Sequence, residues 1–396
     1  MGWHGDPNLC IKAKSFESLG VGTMIGPFFE KLRAQMQDLG GFHNAHTHLD
    51  RAYTLADGYV DYGKLRVLEN SHISLQQKHK LIATVHNGPA YDDADLRRRV
   101  TQTLDEMIAV GTRCVDSMVD VTPDRVGTNA LATLGEIRDS YADRIGVRLA
   151  AYTPFGFRDD MPAQWDIFAE GVAQADFIGC LPEADDVIDY PGHIGFDEHC
   201  RRMHALARDT GKMLHVHTDQ LNLPAENGTE RLIEVVRNQG VLNEGGDPQI
   251  WAVHAISPST YDDARWDRYV QGLVEANIGI ICCPSAALGM RQLRPALTPA
   301  YNSIVRVLEL LAAGVQVRLG SDNIADMCSP STTSDLTHEV FTLSAAIRYY
   351  KVDILARIAA GKALNVAERA LVAEHLQQNE KEISKLARRW MTQGIA

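Results

Sequence analysis

Short apolar, β-branched runs recur along the chain near residues 42–48, 113–119, 147–153, 176–181, 212–217, 250–254, 278–283 and 315–321. Each is brief enough to be a strand, and helix-length amphipathic stretches lie between them. The clearest places Leu96, Val100, Leu104, Met107 and Ile108 at helical spacing over 93–110, and another covers 303–313. Strands that alternate with helices predict a parallel sheet, and eight of them predict closure into a (β/α)8 TIM barrel. The barrel is expected over residues 41–370, between an N-terminal extension (1–40) and a C-terminal helical extension (371–396). That last segment carries Ile383, Leu386, Trp390 and Met391 on one face, which suits packing on the barrel or on a second subunit, so a homo-oligomer is expected. The long insertion 49–92, with Arg51, Tyr53 and several Gly, Pro and Asn breaks, is expected to form a lid or wall over the barrel mouth.

Composition narrows the function classes. The 396 residues contain no low-complexity tract or Pro/Gly/Ser-rich linker, so one large domain is expected. A formal net charge of −12 and the lack of a Lys/Arg cluster argue against nucleic acid, whose phosphates need a basic footprint. Seven scattered cysteines, several in apolar runs (Cys114, Cys180, Cys282, Cys283), indicate a reduced, cytoplasmic chain. No run has the length of a membrane span, and residues 1–6 lack signal-peptide and myristoylation patterns, so no membrane partner is expected.

The chemistry sits at the ends of the strand-like runs. His46-Thr47-His48 closes the first run, and a His-x-His on a strand points both imidazoles to one face. Leu214-His215-Val216-His217-Thr218 closes the fifth, His254 the sixth and Ser321-Asp322 the eighth. A parallel barrel gathers these C-terminal ends at one mouth. There His46, His48 and His215 are expected to give three nitrogens to a divalent metal, with Asp322 as a carboxylate ligand and an open position for water. Asp322 is also expected to take the proton as water attacks, and His254 to polarise the group under attack. His217 stays open between ligand, acid and a supporting hydrogen-bond role. Asp219 and Gln220 follow on the loop and are candidates to touch substrate.

The order His-x-His, His, His, Asp on successive strands resembles the amidohydrolase superfamily, metal-dependent hydrolases of mostly C–N bonds. Within it, the run His46–Thr54 and Gly320-Ser321-Asp322-Asn323-Ile324 are similar to the cytosine deaminase and N-isopropylammelide aminohydrolase branch, and the likeness extends to about residue 370. It implies deamination or amine release from a small cyclic or aromatic nitrogen compound, with metal-bound hydroxide as nucleophile. A ring-opening or amide-cleaving amidohydrolase and a non-catalytic metal-containing barrel are the alternatives. No lysine reads as the bridging ligand of two-metal members, so one ion is implied: zinc first, with iron or manganese compatible with the same donors.

Three departures from that pattern stand out. Counted from His215, the glutamate that shuttles a proton in family deaminases falls on Thr218, which cannot do that work; His217 or Asp219 is expected to replace it. The pyrimidine-reading glutamine after the third strand is replaced by the stretch Tyr152–Phe157, which argues against cytosine itself. About forty residues before His46 and a helical end leave no room for the usual small β-sandwich. The pocket is expected to be lined by Tyr53, Phe155 and Phe157, with Asp219, Gln220 and Asn323 as polar contacts. Other signatures fail: Gly20–Gly26 is one residue too long for a dinucleotide loop, Cys282-Cys283-Pro284 does not fit the zinc nucleobase deaminases, His338-Glu339 lacks a second histidine, and there is no Gly-x-Ser-x-Gly elbow.

Overall fold

A computed structural model describes residues 26–55, 58–59, 78–79, 81–290 and 302–392. Eight strands, β1 (Phe42–Thr47), β2 (Thr112–Asp120), β3 (Gly146–Tyr152), β4 (Phe177–Cys180), β5 (Leu214–Thr218), β6 (Ile250–His254), β7 (Ile278–Cys282) and β8 (Val317–Leu319), pair in sequence order. Every pairing is parallel. The eight runs read from the sequence are these eight strands, each within about two residues, because a strand buried on both faces shows as an unbroken apolar run.

Helices fill the crossovers: α1 (Pro27–Leu39) precedes the barrel, then come α2 (Asp93–Ala109), α3 (Asn129–Tyr141), α4 (Pro162–Gln174), α5 (Phe196–Thr210), α6 (Gly228–Gln239), α7 (Asp263–Glu275) and α8 (Val307–Ala313). After β8 follow α9 (Leu336–Ala346), α10 (Val352–Ala359) and α11 (Val366–Thr392). Leu96, Val100, Leu104 and Met107 are the buried face of α2, as their spacing requires. One large apolar cluster joins the helices to the outward faces of the strands, while Ala45, Trp251, Val253, Ile281 and Cys283 pack separately inside. The eight-stranded barrel sheet is the one sheet among the described residues.

The barrel closes at the functional end. Thr47 and Asp322 form an isolated parallel bridge, and the Asp322 backbone N–H donates to the His46 carbonyl at 2.9 Å. Gly320 makes that seam possible, because a Cβ there would lie 2.7 Å from His46 Cβ and 2.9 Å from its carbonyl oxygen.

The insertion is described only in part. Residues 60–77, residues 1–25 with all of the Gly20–Gly26 run up to Ile25, and the side chains of Trp390 and Met391 lie outside the described residues. Helix α11 begins before residue 370, packs on α8, and leaves Leu371, Ile383 and Leu386 exposed.

Candidate metal centre

Strand period places the site. His46 and His48 project from β1 and its end and His217 from β5, and one ligand nitrogen of each lies within 4.8 Å of the other two. His46, His254 and Asp322 satisfy the same limit. The His46 and His217 ring centroids are 4.8 Å apart and those of His217 and His254 5.5 Å. Asp322 Oδ1 stands 3.8 Å from His46 Nε2 and 3.5 Å from His48 Nε2. Both strand-end residues have left-handed backbone, His254 at φ 73° and Asp322 at φ 60°. Non-glycine residues hold that conformation at a cost, and strain of this kind clusters at functional sites.

His215 occupies a different level. Two residues below His217 on the same strand face, it pairs with Trp251 in the β5–β6 ladder, while Thr218 pairs with His254 at the mouth. Its ring packs on Phe177 at 4.6 Å, and neither of its nitrogens has a hydrogen-bond partner. The spacing does put both histidines on one face, but a step of about 7 Å along the strand separates them in depth. The three-imidazole group therefore contains His217 in place of the expected His215.

The electrostatics favour neutral rings with free lone pairs. Burial, reinforced by the neighbouring imidazoles, holds His46 well below the usual histidine range. Burial and then the Arg51 guanidinium do the same to His48. Burial pushes His217 down to about 3 and His254 to about 4. His217 Nδ1 donates to the Cys180 carbonyl at 2.9 Å, which fixes the tautomer and leaves Nε2 as the free nitrogen. His46 is fully buried with both nitrogens unpartnered. A buried imidazole without any partner is costly in a finished protein, and a cation at its Nε2 would give that nitrogen a partner. Arg51 Nη2 donates to His48 Nδ1, and Asp120 lies 3.7 Å from Arg51 Nε. The residues present thus fit one divalent ion. Burial pushes the Asp322 carboxyl up to about 7, against the pull of Arg51.

A cavity of about 370 Å³ opens over this group. Of the candidates named from the sequence, His48, His217, His254, Asp322, Asn323 and Gln220 line it, together with Arg51, Lys78, His79, Tyr152, Leu181, Ile256, Ser285, Met290 and residues 328–332. Asn323 Nδ2 donates to Asp326. Ser285 is held from behind, its N–H donating to the buried carboxylate of Glu339 on α9 at 2.8 Å.

Four of the expected contacts lie elsewhere. Phe157 is core, 1% exposed, against Trp165 and Phe168. Phe155 packs on His86 and in a small cluster with Ile82, Val85, Ala90 and Met327. The Tyr53 phenol donates to Glu106 on α2, away from the cavity. Asp219 accepts from the backbone N–H groups of Gly228 and Thr229, at 2.6 and 2.9 Å, and so serves the first turn of α6. Aromatic and acidic side chains after a strand carry the same sequence signal whether they turn to the mouth or to the helix layer. Arg51 stands within the His46–Thr54 run, but nothing in its type separates a wall residue from a surface one. His79 and residues 328–332 follow no periodic pattern and give no signal.

No family model matches the chain. Among curated proteins it is 27% identical over 290 residues to an uncharacterized protein of Haemophilus influenzae, covering 72% of this chain and 96% of that one. It is 23% identical over 236 residues to a pterin deaminase of Rhizobium rhizogenes, covering 59% of this chain and 50% of the relative. Among solved structures it resembles 5-methylcytosine deaminase from Klebsiella pneumoniae, with a TM-score of 0.68, 21% identity, and coverage of 81% and 73% of the two chains. N-isopropylammelide isopropylaminohydrolase from Burkholderia multivorans gives a TM-score of 0.58 at 16% identity, with 85% and 82% covered. The chain shares the fold of these two enzymes, the group that the sequence motifs resemble.

Proposed function

We propose that the chain is a metal-dependent hydrolase that releases ammonia or an amine from a small nitrogen heterocycle, with one divalent ion held by His46, His48, His217 and Asp322. The observation that carries this reading is the convergence of those imidazoles, His254 and Asp322 at the barrel mouth, with both nitrogens of a fully buried His46 unpartnered. Deaminase and aminohydrolase neighbours support it. Zinc is the ion proposed first, since imidazole-plus-carboxylate sites are its ordinary setting. An ion of this kind lowers the pKa of a water toward about 7 and so supplies a nucleophile at neutral pH.

The chain's own residues do the rest. Asp322 Oδ1, 3.8 Å from His46 Nε2 and 3.5 Å from His48 Nε2, would hold the proton that the attacking water gives up. His254, a neutral imidazole across the cavity, would donate to the heteroatom at the carbon under attack. Ligation through His48 Nε2 leaves the ring proton on Nδ1, which cannot face a guanidinium N–H; Arg51 would then swing to Asp120. Tyr152, Leu181, Ile256 and Met290 offer apolar surface to a flat ring, and Asn323 and Gln220 offer polar contacts.

The test is ammonia or amine release from a panel of pyrimidines, pterins, triazines and anthranilate-like amides, with mass spectrometry to show whether a ring opens. Release with the ring intact is the expected result. Turnover that persists in Asp322→Asn would contradict the role given to Asp322, and no release from any member would count against the hydrolase.

A further inference from the structure

Counted from His217, the position three residues on is Gln220, whose side chain stands on the cavity wall; Thr218 is buried against Thr229. Gln220 Nε2 donates to Glu183 Oε2 at 2.7 Å. Glu183 lies in the turn after β4, and the backbone N–H of Gln220 faces the same carboxyl. The other oxygen of Glu183, Oε1, is sealed from solvent with no partner. Gln220, His79, Leu181 and Leu221 are shared between the metal cavity and a side cavity of about 240 Å³ that reaches Glu183. Glu183 thus stands one residue behind the metal cavity, bound to a residue of its wall.

An amide has one donor end and one acceptor end. With Nε2 turned to Glu183, the acceptor end Oε1 is the one that points away from the clamp toward a ligand. We infer that Gln220, clamped by Glu183, is a specificity-determining acceptor whose Oε1 reads an N–H donor, on the ring or on the leaving amine, of a heterocycle in the metal cavity. The inference deepens the hydrolase reading and rests on it. Burial and the nearby Glu226 push the Glu183 carboxyl well up. A protonated carboxyl can still accept from Nε2 through its carbonyl oxygen, the geometry seen between Gln220 and Glu183. Gln220 itself cannot give a proton to a leaving amine as a carboxylic acid can. It orients the substrate, and Glu183 is a positioning residue acting through it.

A site built around a buried acceptor rejects analogues that lack the matching donor, because the acceptor is then left unpaired. The experiment measures binding of pterin against 3-methylpterin, and of cytosine against 1-methylcytosine, to the zinc-loaded protein by calorimetry, with KM and kcat for any base turned over. Wild type should prefer the N–H member of at least one pair by about tenfold or more. Glu183→Met and Gln220→Met should shrink that preference to about twofold or less, raising KM more than they lower kcat, while Glu183→Gln, which keeps an acceptor oxygen, should restore it. A purely structural role for Glu183 would lower the unfolding temperature or weaken both members alike. Equal binding within each pair, a preference that survives in Gln220→Met, or no binding of any base by wild type would overturn the inference. Failure of the hydrolase reading would look different, as binding preference without ammonia release.

Discussion

His215 and His217 share a strand, a face and a residue type, yet depth in the barrel separates them. The His217 ring reaches the cavity and is oriented by the Cys180 carbonyl; the His215 ring lies below, on Phe177. Period 2 fixes the face of a strand residue, not which of two same-face positions reaches the mouth, so the donor set we propose differs from the one expected from the sequence by one step along β5. At the same scale, Gly320 ties the seam to the site. Gly320→Ala would push a methyl into His46, and urea unfolding should show a loss of about 1–3 kcal/mol, together with weaker metal retention. Unchanged stability and metal content would show that the seam can yield.

Elements were far more legible than contacts. All eight strands and helix α2 follow from apolar period, because burial of a strand or of a helix face is a property of many residues at once. Pocket walls depend on single rotamers in loops, which is why Phe155, Phe157 and Tyr53 were expected at the mouth although Phe157 packs in the main core, Phe155 in the small cluster around His86 and Tyr53 on α2. One loop element makes a measurable claim. His86, on the short helix Ile82–Asn87, bonds Asp120 at the end of β2 at 3.0 Å and Asp124 at 2.7 Å. Burial opposes its charge, but the two carboxylates outweigh it and raise the ring to about 9. A raised histidine stabilises fully below its unfolded pKa of about 6.5, and that contribution fades as pH rises to about 9. Urea unfolding across this window should show wild type losing stability relative to His86→Gln, by up to about 1.4 kcal/mol per pH unit. Parallel pH profiles for the two proteins would contradict the pairing.

On the scale of the whole molecule, the barrel was expected from alternation, and the C-terminal helix was expected from its apolar face to pack on the barrel or on a second subunit. No helix among the described residues is long and apolar enough to cross a membrane. Helix α11 rests on α8 yet leaves Leu371, Ile383 and Leu386 between 44% and 50% exposed, a surface that a second copy would cover in the homo-oligomer we propose. Sedimentation should then show a dimer or larger species, and Ile383→Glu with Leu386→Glu should shift it toward monomer. A wild-type monomer at all concentrations would remove that expectation and leave the barrel site untouched.

The central claim is that the metal donors are His46, His48, His217 and Asp322, with His215 outside the set. Its most direct test is elemental mass spectrometry of protein purified without chelator, comparing wild type, His217→Ala and His215→Leu, with circular dichroism to confirm folding. The account predicts about one equivalent of zinc, iron or manganese in wild type and in His215→Leu, and near-complete loss in His217→Ala. Metal retained in His217→Ala but lost in His215→Leu, or two equivalents in wild type, would contradict it.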